Sequence, residues 1–194
     1  MKRKLITSII ATSVIVIASE SNTTNLSIPP IAKEGISYIK MLGKELKINM
    51  KKHMMADKSG VEAAGFCATK AEDIAKEVSK KFPKGVRVYR TSLKYRNEAN
   101  KPDEKDKEVL ENLQKTIENK TFKKKPIVVK LDNNKTRVYV PLLVEKVCLK
   151  CHGNVESMNP KVKEIISTKY PHDKATGFKE GDLRGVIVAE VPTK

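Results

Sequence analysis

Apolar residues recur every three or four positions from Ile31 to about Asp57, at Ile36, Ile39, Leu42, Leu46, Met50 and Met54. That spacing predicts a long amphipathic helix with a lysine-rich outer face. Pro29 and Pro30 stand at its first turn, where proline is tolerated. Ser59-Gly60 interrupts the pattern. A second helix is expected from about Val61 to Phe82, with the seam Val61, Ala64, Ala68, Ala71, Ala75, Val78 and Phe82. Much of this seam is alanine, so another helix or a flat ligand can approach its backbone closely. Cys67 lies beside it.

The period then changes. Val86 to Thr91 alternates as a strand does. An Asn-rich loop follows from Tyr95 to Pro102, and Asp103 is suited to cap a third helix running to about Asn119. Val109, Leu110, Leu113 and Ile117 form its apolar stripe. Ile127–Leu131 and Thr136–Val144 flank Asp132-Asn133-Asn134, which predicts a hairpin. A short helix from about Pro160 to Tyr170 and a closing strand from Leu183 to Val191 complete the pattern. Helices come early, strands mostly late, and the links between strands are hairpin-length. The expected class is α+β with an antiparallel sheet flanked by helices.

Length and composition fit one domain: 194 residues, 39% hydrophobic and 32% charged. They exclude a multi-span membrane protein, a collagen-like fibre and a low-complexity tail. The formal charge of +16 invites a nucleic-acid reading. The N-terminus argues against it. Lys2, Arg3 and Lys4 precede an apolar run from Leu5 to Ala18, about 14 residues where a spanning helix needs about 20. Residues 1–18 therefore read as a secretory signal, 19–29 as a linker and 30–194 as one domain. Without the signal the charge is 36 − 23 = +13. The expected location is periplasmic, with no stable membrane span after cleavage and no nucleic-acid partner. The remaining charge points instead to an acidic protein partner or an anionic outer leaflet.

The chemistry concentrates in Cys148-Leu149-Lys150-Cys151-His152, a C-x-x-C-H. Two cysteines three apart can each form a thioether with a haem vinyl group, and the adjacent histidine then lies beneath the iron. One covalent haem c, with thioethers at Cys148 and Cys151 and axial ligation by His152, is the expected cofactor. A thioredoxin-type redox pair, a plain Cys148–Cys151 disulfide and a zinc site completed by Cys67 are the rival readings. For a second axial ligand the residues leave several candidates: Cys67, His53, His172, Met41, Met50, Met54, Met55 and Met158. Each methionine also reads as packing or helix surface, each histidine as a solvated side chain, and Cys67 as a small hydrophobe.

Four segments carry a resemblance. They are Gly65-Phe66-Cys67, the run from Arg90-Thr91-Ser92 through Arg96-Asn97 to Pro102-Asp103, Cys148 to Gly153, and Ala175-Thr176-Gly177-Phe178 through Gly181-Asp182 to Arg184-Gly185. In this order they resemble the single-haem c-type family of exported PAS-like domains first described in cyanobacteria and also found at the front of bacterial sensor proteins. The resemblance spans about residues 30 to 192. It implies a PAS-like antiparallel sheet and axial ligation by His152 and Cys67. That family's downstream signalling domains have no counterpart in this sequence.

With that ligand pair, thiolate ligation favours ferric iron and a low potential. A six-coordinate iron has no open site, so an enzyme is not expected. On reduction the thiolate can leave and open a site for NO, CO or O₂. The expected function is a haem-based redox or gas sensor module; the alternative is a soluble single-electron carrier between periplasmic redox proteins. Arg90, Arg96 and Arg184, in the specific runs, are candidates to pair with haem propionates, with surface charge or loop ordering as the plain reading.

Overall fold

The computed structural model describes residues 28–132 and 134–193. The expected signal, 1–18, and all but the end of the linker 19–29 lie outside the described residues. Helix α1 spans Pro30–Ala56, as the spacing predicts, with Pro30 in its first turn. It buries Ala32, Gly35, Ile39 and Leu42. At Gly35 it comes closest to the sheet: a Cβ there would lie 2.6 Å from Val138 Cγ2. A side chain at this position would push α1 off the strand beneath.

The one helix expected over Val61–Phe82 is two, α2 (Val61–Thr69) and α3 (Ala71–Ser79). Lys70 separates them with φ −116°, far from the helical value near −63°. Thr69 Oγ1 donates back to the Gly65 carbonyl at 2.8 Å, a bond of the kind that bends helices. The bend lets the alanine seam serve two clusters. Ala64 of α2 packs with Met158, Val162 and Ile166. Val78 of α3 joins the core beneath α1, with Ile74 and Ala75 beside it. Phe82 lies beyond the helix, edge-on to Tyr38 at 5.2 Å.

Four strands form one sheet: β1 (Arg87–Thr91), β2 (Ile127–Leu131), β3 (Lys135–Leu143) and β4 (Leu183–Pro192). Their order is β1-β4-β3-β2, and every neighbouring pair is antiparallel. The fold is α+β, as the pattern predicts. The hairpin falls where expected, with Leu131 paired to Lys135 and Asn134 at φ 55°. Successive β4 residues serve opposite layers. Ile187, Ala189 and Val191 pack in the cluster with α1 and α3. Val186 and Val188 pack with Tyr139 and with Val109, Leu110 and Leu113 of α4 (Glu104–Glu118). Asp103 caps α4, accepting from the Asp106 amide at 2.8 Å.

Near the start of α4 lies a charged network that alternation alone does not predict. Arg137 of β3 sends Nε to Glu190 at 2.9 Å and Nη1 to Asp106 at 3.0 Å and Asp103 at 2.7 Å. The hydroxyls of Tyr139 and Tyr89 donate to the Asp106 carboxylate. Asp106 is almost fully buried, so these donors satisfy a group that would otherwise be costly.

Candidate functional site

Beyond β3 the chain makes a 3₁₀ turn, Lys146–Cys148, and a one-turn helix α5, Leu149–His152. The C-x-x-C-H therefore occupies consecutive helical turns, with Cys148 and Cys151 one turn apart. Cys148 and Leu149 pack against Val144, Ala175 and Phe178. Cys151 packs on the other side, with Ala64 and Met158 and the apolar face of α6 (Pro160–Lys169). The motif is thus wedged between two apolar clusters.

His152 is oriented from one side. Its Nδ1 lies 2.7 Å from the Ala175 carbonyl. Donation from Nδ1–H to that oxygen leaves the Nε2 lone pair free, the tautomer a metal ligand needs. The loop returns two further bonds: the Phe178 amide donates to the His152 carbonyl at 2.9 Å and the Gly177 amide to the Gly153 carbonyl at 2.8 Å. The Phe178 ring stands edge-on to the imidazole, 6.2 Å between centroids. Burial holds the imidazole neutral well below its ordinary range, and Arg184, Arg96 and Arg90 push the same way.

The three candidate arginines thus converge on His152, and their partners differ. Arg96 works through one nitrogen: Nη2 donates to the Cys151 carbonyl at 2.6 Å and the Ala175 carbonyl at 3.1 Å, and pairs with Asp173 at 3.0 Å. Its Nε is buried with no partner among the described residues. Arg184 donates to Ser92 Oγ and to the Lys94 carbonyl, each at 3.2 Å, and lies over the Phe178 ring. Burial, Arg96 and Arg90 together pull its pKa down to about 10. Arg90 is half-buried on β1, and among the described residues its guanidinium forms no side-chain hydrogen bond or ion pair. Burial lowers its pKa, and the nearby Cys67 and Tyr170 work against that.

Cys67, on α2, is exposed. Crowding raises its thiol pKa, while Arg90 and Arg96 pull it down. Burial raises the Cys151 thiol pKa, Arg96 opposes that, and Cys67 adds to it. Tyr170, at the end of α6, donates its hydroxyl to the Cys67 carbonyl at 3.2 Å. Cys67, Cys148, Cys151, His152, Arg90, Arg96 and Arg184 therefore belong to one neighbourhood.

The rival ligands have other engagements. His53 stacks on Phe66 at 4.8 Å with Nδ1 3.9 Å from Glu62, and His172 is exposed. Met158 is buried in the cluster with Ala64, Met50 and Met54 are half-buried on α1, and Met41 and Met55 are exposed there. Among the described residues no three His, Cys, Asp or Glu side chains gather as a bare-metal site, so the zinc reading has no geometric support. The three cysteines are unbonded to one another. A cleft of about 260 Å³ lies behind Phe178, lined by Leu93, Leu110, Ile117 and Leu183 among others. Cys67 is not among its lining residues.

Sequence reasoning missed Asp173, Tyr170, Phe178 and the Ala175 carbonyl. Asp173 had a legible local signal, a side chain that accepts from the amide two residues on at 2.8 Å. Its pairing with Arg96 had none.

A family model described as Tll0287-like, Tll0287, matches residues 3–192. The chain belongs to the Tll0287-like family. Its fold is similar to the crystal structure of the cyanobacterial heme-protein Tll0287, with a TM-score of 0.63 and 23% identity over 87% of this chain and 98% of that one. At that identity the likeness establishes the fold. No curated protein matches this member of the Tll0287-like family.

Proposed function

We propose that this protein is an exported monohaem c-type protein of PAS-like fold that works as a haem-based redox or gas sensor module. Cys148 and Cys151 would carry the two thioethers, and His152 and Cys67 would be the axial ligands. The observation that carries the reading is the charge imbalance around His152. Three guanidinium groups act on it, and among the described residues Asp173 is the one carboxylate ion-paired with any of them. Two propionates would bring three positive charges and one negative to neutrality. Arg90, with no partner of its own, is best suited to take one of them bidentately, and Arg184 lacks a carboxylate partner as well. Arg96 Nη2 is committed to the Cys151 and Ala175 carbonyls and to Asp173, which suits holding the motif, while its buried Nε has no partner among the described residues. The similar structure is that of a haem protein, in keeping with this reading.

A bound haem would supply one-electron chemistry at a thiolate-ligated, low-potential iron. The chain's own residues supply the rest. The Ala175 carbonyl orients His152, and the protein around Cys67 crowds its thiol. Cys67 Sγ would hold the iron as the exchangeable ligand and could hold a proton when detached, and a bound haem would supply the capacity to take NO, CO or O₂ in its reduced state. A protein partner would read that exchange.

Potentiometric titration followed by optical and EPR spectra tests both parts together, after denaturing electrophoresis has checked for covalent haem. A low potential with a ligand change and CO binding on reduction is expected. Full reversible cycling with unchanged ligands would make the protein an electron carrier, and the absence of a covalent haem band would end the haem c reading.

A further inference from the structure

We propose that the outer face of α1 lies flat on an anionic lipid surface. Met41, Ile48 and Met55 are exposed by 39, 51 and 71% and stand seven residues apart along one helix. Seven residues are almost two helical turns, so the three side chains share one narrow stripe about 21 Å long. The opposite face of α1 is buried against the sheet through Ala32, Gly35, Ile39 and Leu42. Nothing in the core explains apolar groups on the outer side.

The setting of the stripe selects the occupant. By helical angle Lys44 and Lys51 border it on one side, with Lys40 and Lys47 beyond them, and Lys52 borders it on the other. All five are exposed, and among the described residues Lys47 is the one that forms an ion pair, with Glu145 at 3.2 Å. A second copy of the chain is a poor occupant. The positions between the stripe residues, where a coiled coil needs its second apolar set, carry Lys44, Glu45, Lys51 and Lys52, so most would meet like charge. A convex ridge of three apolar residues also offers no groove to a folded partner. Apolar contacts flanked by unpaired lysines along a straight helix match the way interfacial helices rest in the headgroup layer. Among the described residues no helix is long and apolar enough to cross a membrane, so α1 lies on the surface and does not span it.

Hydrogen exchange read by mass spectrometry on the full chain tests this and separates α1 from the apolar N-terminal run. Mixed phosphatidylglycerol–phosphatidylcholine vesicles should slow exchange across residues 40–56, and phosphatidylcholine vesicles alone should not. High salt should abolish the slowing, because screening shrinks to about 3 Å at 1 M. Replacing Lys44 and Lys51 together by Gln should weaken partitioning about 25-fold, roughly fivefold for each lysine. Ile48→Gln should weaken it as well, and circular dichroism should show all variants folded. Several outcomes would overturn the proposal: no slowing on the mixed vesicles, equal slowing on neutral ones, or slowing that grows with protein concentration when vesicles are absent. Slowing with an acidic protein and not with the mixed vesicles would do the same.

Discussion

Arg96 Nη2 and Asp173 Oδ2 lie 3.0 Å apart, with side chains only 13% and 10% exposed. The pair sits behind the carbonyl that orients His152. Asp173 Oδ1 also accepts from the Ala175 amide, and Arg96 also donates to the Ala175 carbonyl. One ion pair therefore sets both polar ends of Ala175. Asp173→Asn would leave a buried guanidinium without its counter-charge, a loss of about 3–5 kcal/mol. Urea denaturation should report it, and a perturbed His152-dependent haem spectrum should accompany it. A variant as stable as the parent would show that the pair has no such role.

With the proposed thioethers at Cys148 and Cys151, Cys67→Ser should leave the haem covalently attached. It should remove the thiolate signature from the EPR spectrum and raise the potential. An unchanged low-spin thiolate spectrum would mean that another group ligates the iron.

Arg90→Gln removes a cation beside the site. A nearby positive charge favours the less positive, reduced iron, so the potential of the variant should fall. Spectroelectrochemistry measures it directly. A shift smaller than about 20 mV, roughly a twofold change in the redox equilibrium, would place Arg90 outside the site's electrostatics.

Gly35→Val tests the contact between α1 and β3. Its Cβ would meet the Val138 side chain, Cγ2 at 2.6 Å and Cβ at 2.9 Å, on a strand paired on both sides by its neighbours. Overpacking should cost about 1–3 kcal/mol in thermal or chemical unfolding. An unaffected midpoint would imply that α1 can move away freely.

The Arg137 network makes an acid limb in the stability curve. Burial resists ionisation of Glu190 and Asp103, but Lys135 and Arg137 outweigh it for Glu190, and the Asp106 amide with Arg137 for Asp103, so both pKa values are lowered. A lowered carboxylate contributes fully above its unfolded value, 4.5 for Glu and 3.8 for Asp, and that contribution is lost as pH falls through the folded value. Asp106 has the opposite sign: burial raises it, so acid relieves its desolvation. Two groups oppose one, and stability should drop below about pH 4.5. Glu190→Gln should be less stable at neutral pH and lose less on acidification. Urea midpoints for the two proteins that fall in parallel with pH would refute this.

The long helix α1, the hairpin at Asp132-Asn133-Asn134, the Asp103 cap and the antiparallel class were legible because local periodicity and turn chemistry determine them. So was the spacing of the C-x-x-C-H, which places its two cysteines one helical turn apart. The break at Lys70 was not legible, because alanines at steps of three and four fit a straight helix and a bent one equally well. Which cluster each half serves is settled by α6 and the sheet. Arg96 looked like Arg90 and Arg184 in the sequence, a basic residue in a specific run. Its commitment to Asp173 and to two carbonyls depends on a loop distant in the chain, and Arg90's lack of any partner is equally a matter of what packs around it. Sequence determined which groups could do chemistry. Tertiary structure decided which of their charges were already neutralised, because pairing depends on distance in space and not along the chain.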